Sequence, residues 1–274
     1  MSNIVLPKKV TFLPDEKQKH NGQIIIEPCY PGYGTTLGNA IRRVMLSSLP
    51  GAAVVGVKIK GVDHEFSAIE GVKEDALEIL LNLKQLRLQM FEEAPETIGD
   101  KVLKLELKVK GPKKVTGADI TKNSEIKVSN PDIHLFEITD KNTEIEMEFS
   151  VMSGYGYVPI EGREHQEKEV GYIDIDSVFS PVKSIKVEVE NVRVGKMTNW
   201  DKLVIDVETD ATITFEQAYK EVCAILVNQF SYLLENADNK KGKKASEAEE
   251  VSEENSDDTE DEKAADEADE EKDK

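Results

Sequence analysis

The stretch Pro31–Leu49, PGYGTTLGNAIRRVMLSSL, decides how the rest of the chain is read. It opens as a glycine turn, continues as a patterned helix and stops at Pro50-Gly51. Leu37, Ala40, Ile41, Val44, Met45 and Ser48 recur at intervals of three and four, which puts them on one helical face. Thr35 or Thr36 is expected to cap the start, and Pro50-Gly51 blocks continuation. A helix this short is marginal in isolation, so its apolar stripe needs a partner. Arg42 and Arg43 lie on or beside that stripe. They read either as a solvated pair or as forked donors for a partner's carboxylate or carbonyl.

Upstream, Gln23–Glu27 (QIIIE) is a short buried strand feeding the turn through Pro28 and Pro31, whereas Met1–Gly22 is polar and yields no element. Downstream, Ala53–Lys60 alternates Val55, Val57 and Ile59 against Lys58 and Lys60. A second helix is predicted over about Val72–Arg87, with Val72, Ala76, Ile79, Leu80 and Leu83 inward. Its acids (Glu74, Asp75, Glu78) come early and its bases (Lys84, Arg87) late, matching the helix dipole. Val102–Lys110 and Glu144–Val151 alternate cleanly, as sheets with one dry and one wet face do. Gly111–Leu135 is turn-rich, and Gly154–Pro159 (GYGYVP) reads as a loop before the polar Glu161–Glu169. Ile185–Val194 alternates but changes parity, which predicts a bulge near Glu190-Asn191. Leu203–Val207 is the next strand. Thr214–Glu235 is the longest helix, its apolar side formed by Ala218, Val222, Ile225, Leu226, Phe230, Leu233 and Leu234 together with Gln229.

A β-rich block flanked by two strand-and-helix segments predicts an α+β fold. The chain starts a sheet with two helices, leaves to build an inserted β-rich subdomain, then returns. The expected bounds are 1–52 and 179–236 for the outer subdomain, 53–178 for the insert and 237–274 for a tail.

Charge is unevenly spread. Of the net −19, Ser246–Lys274 carries −13 and everything before it only −6. The tail has no aromatic residue and almost no aliphatic one, so it cannot bury enough area to offset ordering entropy and is predicted to be disordered. No general affinity for nucleic acid follows from such a balance. Cys29 and Cys223 are isolated, which argues against a disulfide scaffold or a zinc site. No segment has the apolar length of a signal core or a membrane span, and a cytoplasmic protein is expected.

The turn Gly32–Gly38 follows a strand and opens a helix, so a phosphate cradle was tested against it. No Lys-Ser/Thr pair follows the last glycine, and the dinucleotide spacing fails, so close packing of the helix is the better reading. His20, His64, His134 and His165 are scattered without neighbouring ligands. No GxSxG, HExxH or Asp-rich magnesium loop is present. The chain is expected to carry no catalytic residue, no metal and no cofactor.

GYGTTLGNAIRRVMLSSLPG, followed by VKIKGVDHEFSAIEGVKEDALEILLNLKQL, resembles the alpha-subunit family of bacterial and plastid DNA-directed RNA polymerase. VTGADI (Val115–Ile120), GYGYVP, SPV (Ser180–Val182) and DKLVIDVET (Asp201–Thr209) extend the resemblance over roughly residues 5–236. It implies a homodimer that recruits the beta and beta-prime subunits, with omega in the same complex, in the bacterial cytoplasm or nucleoid rather than a plastid. It implies a dimer interface of Leu37, Ile41, Val44, Met45, Val222, Ile225, Leu226, Phe230 and Leu233. Arg43 and Leu46 match beta-contacting positions, and Lys84, Ile175 and Val182 match beta-prime-contacting ones. Family members usually continue into a small DNA-binding helical domain. Here only the acidic tail follows, so no direct specific DNA contact and no membrane contact is expected. The rival readings are a stand-alone dimeric binding module whose acidic tail mimics nucleic acid, and a nucleotide-binding enzyme built on the glycine turn.

Overall fold

The computed structural model describes residues 4–91, 102–163 and 170–237. The acidic tail from residue 238 onward, and most of the polar run after Glu161, lie outside them. Residues up to Cys223 pack as one unit, and Ala224 onward belongs to a second unit.

The outer sheet contains β1 (Lys9–Pro14), β2 (Gly22–Cys29), β13 (Val182–Val194) and β14 (Met197–Thr209). It is antiparallel in the order β1-β2-β14-β13. Helix α1 (Tyr33–Ser47) lies against β13 and β14. Ile41 and Met45 are buried on the sheet, while Leu37, Ala40 and Val44 are half-buried. The two ends of the chain therefore build one layer, as the flank-insert-flank pattern predicts. β1 had no sequence counterpart because only Val10 and Phe12 alternate before Pro14, and Val10 and Leu13 remain exposed.

At Pro50 the chain enters a second sheet. Its strands are β3 (Pro50–Ile59), β4 (Leu88–Met90), β5 (Leu103–Lys110), β7 (Ile126–Val128) and β9 (Glu144–Tyr155). They run in the order β5-β9-β3-β4-β7, and β11 (Tyr172–Asp174) also pairs with β3. β6 (Lys113–Thr116) with β8 (His134–Ile138), and β10 (Tyr157–Val158) with β12 (Ser177–Val178), make two small ribbons. In β5 the predicted alternation holds, with Leu105 and Leu107 buried between exposed lysines and glutamates. β3 departs from alternation and buries five consecutive residues, Ala53–Val57. One face joins the main core with Val54 and Val57, and the other packs Ala53 and Val55 on Phe179.

Helix α2 (Ala76–Lys84) covers the insert core through Ala76, Ile79, Leu80 and Leu83. It is shorter than the predicted Val72–Arg87. The Asp75 carboxylate accepts from the Glu78 N–H (2.7 Å) and so caps it there. Val72 instead bridges to Ile138, and the Glu74 carboxylate accepts from the Glu137 N–H and meets His134. The bulge predicted near Glu190-Asn191 lies further along. Pairing shifts between Val182 and Ser184, stays regular from Ser184–Glu208 through Val192–Trp200 and shifts again between Val192 and Val194, where the hairpin turns.

The third helix, α3, covers 215–237. Thr214 and Gln217 cap its start reciprocally: the Thr214 N–H donates to the Gln217 Oε1 and the Gln217 N–H to the Thr214 Oγ1. Phe215, Ala218 and Val222 are buried. Just before it, Ala211 holds φ 72°, a left-handed conformation that a Cβ disfavours by about 1–2 kcal/mol. Ala211→Gly is expected to stabilise the fold by about 0.5–1 kcal/mol, part of the relief being offset by unfolded-chain entropy. Urea titration checks this; a loss of stability would contradict it.

Candidate partner-binding surfaces

The glycine turn is occupied by the chain itself. Asp201 opens the buried part of β14, just before a register shift against β2 between Asp201 and Leu203. That irregularity aims its carboxylate at the start of α1. Oδ2 accepts from the backbone N–H of Gly32 and of Gly34, both at 2.9 Å. A buried carboxylate thus supplies the anion that a helix N-terminus attracts. The expected Thr35 or Thr36 cap is replaced by this remote one, because both threonines lie inside the first turn and Gly32 is the capping residue. The glycines serve contact: a Cβ on Gly38 would lie 2.7 Å from the Val187 Cγ1 and 2.9 Å from Leu203, and one on Gly34 2.9 Å from Val189.

With its inner face on the sheet, α1 turns Arg42, Arg43 and Leu46 outward, and Leu46 is 36% exposed. The two residues matched to beta contact therefore share an accessible face.

The residues matched to the dimer interface separate by depth. Ile41, Met45 and Val222 are buried within the chain. Leu37, Val44, Ile225 and Leu226 are half-buried. Phe230 and Leu233 are exposed at 65% and 62%, and so are Val227, Tyr232 and Leu234, which the sequence reading had either left out or named only as part of a broad face. Within unit 1, the base of α3 is fixed by aromatic packing: Phe12 meets Phe215 and Tyr219 edge-on, with centroids 6.1 and 5.6 Å apart. Burial, with Cys223 beside it, pushes the Tyr219 hydroxyl pKa upward.

The residues matched to beta-prime contact also divide. Ile175 and Val182 are each 5% exposed, Ile175 lying in the insert core, whereas Lys84 is half-buried. Its ammonium lies 3.4 Å from the Asp176 Oδ2 and 5.7 Å from the Tyr157 ring centroid. The Ile160 N–H, and then Lys84, hold the Asp176 carboxyl below the usual range against the opposing effect of desolvation. Lys84 borders a cleft of about 430 Å³ whose walls include Leu77, Leu81, Asp63, Glu65 and Asp174. Leu77 and Leu81 are 41% and 54% exposed. The sequence did contain a sign of this: α2 has leucines on both sides, more than one core needs.

Among the described residues there is no cluster of three potential metal ligands, and no helix is long and apolar enough to cross a membrane.

Residues 57–180 match the family described as the RNA polymerase Rpb3/RpoA insert domain. The chain is 44% identical over 233 residues to a protein of Nitratidesulfovibrio vulgaris named DNA-directed RNA polymerase subunit alpha. Proteins of that name from Desulfovibrio desulfuricans and Maridesulfovibrio salexigens are 43% and 42% identical over the same length. In each case the match covers 85% of this chain and 65% of the relative, so the chain spans just under two thirds of the relatives' length.

Proposed function

We propose that this chain, like the alpha subunits it is 42–44% identical to, is a non-catalytic assembly subunit of a bacterial DNA-directed RNA polymerase, which pairs with a second copy of itself and then holds the beta and beta-prime subunits. The observation that carries the reading is the outer part of α3. Val227, Phe230, Leu233 and Leu234 lie between 62% and 67% exposed within 8 residues of one helix. Large apolar side chains grouped in this way mark an interaction surface. A two-fold contact lets the same patch on each copy cover the other. The resemblance adds half-buried Leu37, Val44, Ile225 and Leu226 and buried Ile41, Met45 and Val222 to the residues of this interface.

In this reading the outer subdomain (1–52 and 179–236) pairs the chains, and the insert (53–178) offers partner surfaces. Arg43 and Leu46 meet beta, since an arginine fork tolerates burial when its donors are matched. Lys84, Leu77 and Leu81 meet beta-prime at the cleft on α2, with Ile175 in its wall, while buried Val182 supports the start of β13. Omega joins the same complex in the bacterial cytoplasm. Nucleotidyl transfer belongs to the partners, and this chain brings no catalytic residue, metal or cofactor to it.

The test is co-expression of the chain with beta and beta-prime, comparing Arg43→Ala with the unaltered sequence. Self-pairing is expected to persist while capture of beta weakens by about 1.5–3 kcal/mol, the value of a charge-assisted hydrogen bond. Unchanged recovery of beta at low protein concentration would remove Arg43 from this role.

A further inference from the structure

The two sheets meet near the base of α3, and the contact there includes one ion pair. Arg87 lies between α2 and β4, within the insert; Asp210 lies between β14 and α3, within the outer subdomain. The Arg87 Nε is 3.9 Å from the Asp210 Oδ2, with side-chain exposures of 23% and 5%. Asp210 is also committed on its other oxygen: Oδ1 accepts from the Thr212 N–H at 3.0 Å and from the Thr212 hydroxyl. Its own N–H donates to the Pro181 carbonyl at 3.0 Å. One carboxylate therefore ties the turn that launches α3 to the insert's arginine.

Arg87 is held just as firmly. Its N–H donates to the Asn130 Oδ1 at 2.8 Å, and its carbonyl accepts from the Ser129 N–H at 2.8 Å. The Asn130 amide also donates to the Gln85 carbonyl at 3.0 Å. The arginine backbone is thus ordered before it meets Asp210, so the entropy lost in forming the pair is that of the side chain alone. Ala211, next to Asp210, keeps its left-handed conformation inside the same turn.

We infer that Arg87–Asp210 is a joint between the insert and the base of the pairing helix, through which residues of the insert govern how tightly two chains pair. The inference rests on the pairing reading above. Both are positioning residues: neither belongs to the exposed patch, and each acts by fixing the turn from which α3 starts.

The experiment measures the self-association constant of the full chain by sedimentation equilibrium for Arg87→Met, Asp210→Asn, the double variant and Arg87→Lys. Amide exchange over Thr212–Ala218 is recorded on each. Each single change is expected to weaken pairing about tenfold. The double variant should weaken it no more than the stronger single, and Arg87→Lys should retain most of the affinity. Exchange over Thr212–Ala218 should quicken in both singles, in step with the affinity loss. Singles that pair as tightly as the unaltered chain, or losses that multiply in the double variant, overturn the joint and leave the pairing reading standing. An unaltered chain that stays monomeric overturns the pairing reading itself. Should Asp210→Asn fail to fold, Arg87→Met decides, because it leaves the turn bonds of Asp210 in place.

Discussion

Phe230→Asp is expected to leave the chain monomeric at concentrations where the unaltered sequence is paired. Phe230 is 65% exposed in the single chain, so the change should not disturb the fold, and circular dichroism should match the parent. In the paired state the ring would be covered. Truncating a covered phenylalanine costs about 3–5 kcal/mol, and a two-fold contact incurs that loss at two places. Burying an unpaired carboxylate adds a further penalty. Together these weaken pairing by roughly a thousandfold or more. Light scattering checks it, and a dimer that persists would show that α3 does not carry the interface.

Asp201→Ala should have the largest effect on folding itself. The substitution strips the Gly32 and Gly34 N–H groups of their acceptor where α1 begins against the sheet. Each donor left unsatisfied in a buried site costs about 1–3 kcal/mol, so a total loss of about 2–5 kcal/mol is expected. Asp201→Asn keeps an acceptor oxygen and should cost less, the difference reporting the charge at the helix terminus. Denaturant titration of both variants gives the comparison. Equal losses would mean that the charge contributes nothing there.

These two expectations differ in how visible their origins were in the sequence. The apolar spacing along Thr214–Glu235 could be read directly, because a helical face needs only local periodicity. Reading its exposure required the structure: Val222 and Phe230 share that pattern, yet one is fully buried and the other open. Asp201 gave no such sign. An acid in a strand reads as a wet-face residue until the chain 169 residues upstream is brought beside it. The same holds for Arg87, which fitted the end of a longer helix by its charge. It instead lies beyond α2, facing an aspartate that only tertiary packing supplies. Periodicity located β3, β5 and β9 but not the shorter strands of the insert, and GYGYVP, read as a loop, holds the end of β9 and all of β10. Both faces of β3 are buried because Phe179 returns to cover the second one. Local pattern thus specified the longer elements, and long-range pairing specified which polar groups matter.

The family motifs carried the partner assignments further than physical reading could, and the structure then sorted those assignments by depth. Arg43 and Leu46 are exposed and Lys84 is half-buried, whereas Ile175 and Val182 are buried. The cleft on α2 was not anticipated, although Leu77 and Leu81 give it an apolar wall and Asp63, Glu65 and Asp174 an acidic one.

The central claim is that two copies of this chain, joined through the open face of α3, form the platform for the larger subunits. Native mass spectrometry of the complex recovered through a tag on this chain, co-expressed with beta and beta-prime, tests it most directly. Two copies of the chain with one beta and one beta-prime is the predicted composition; a complex containing a single copy would contradict it.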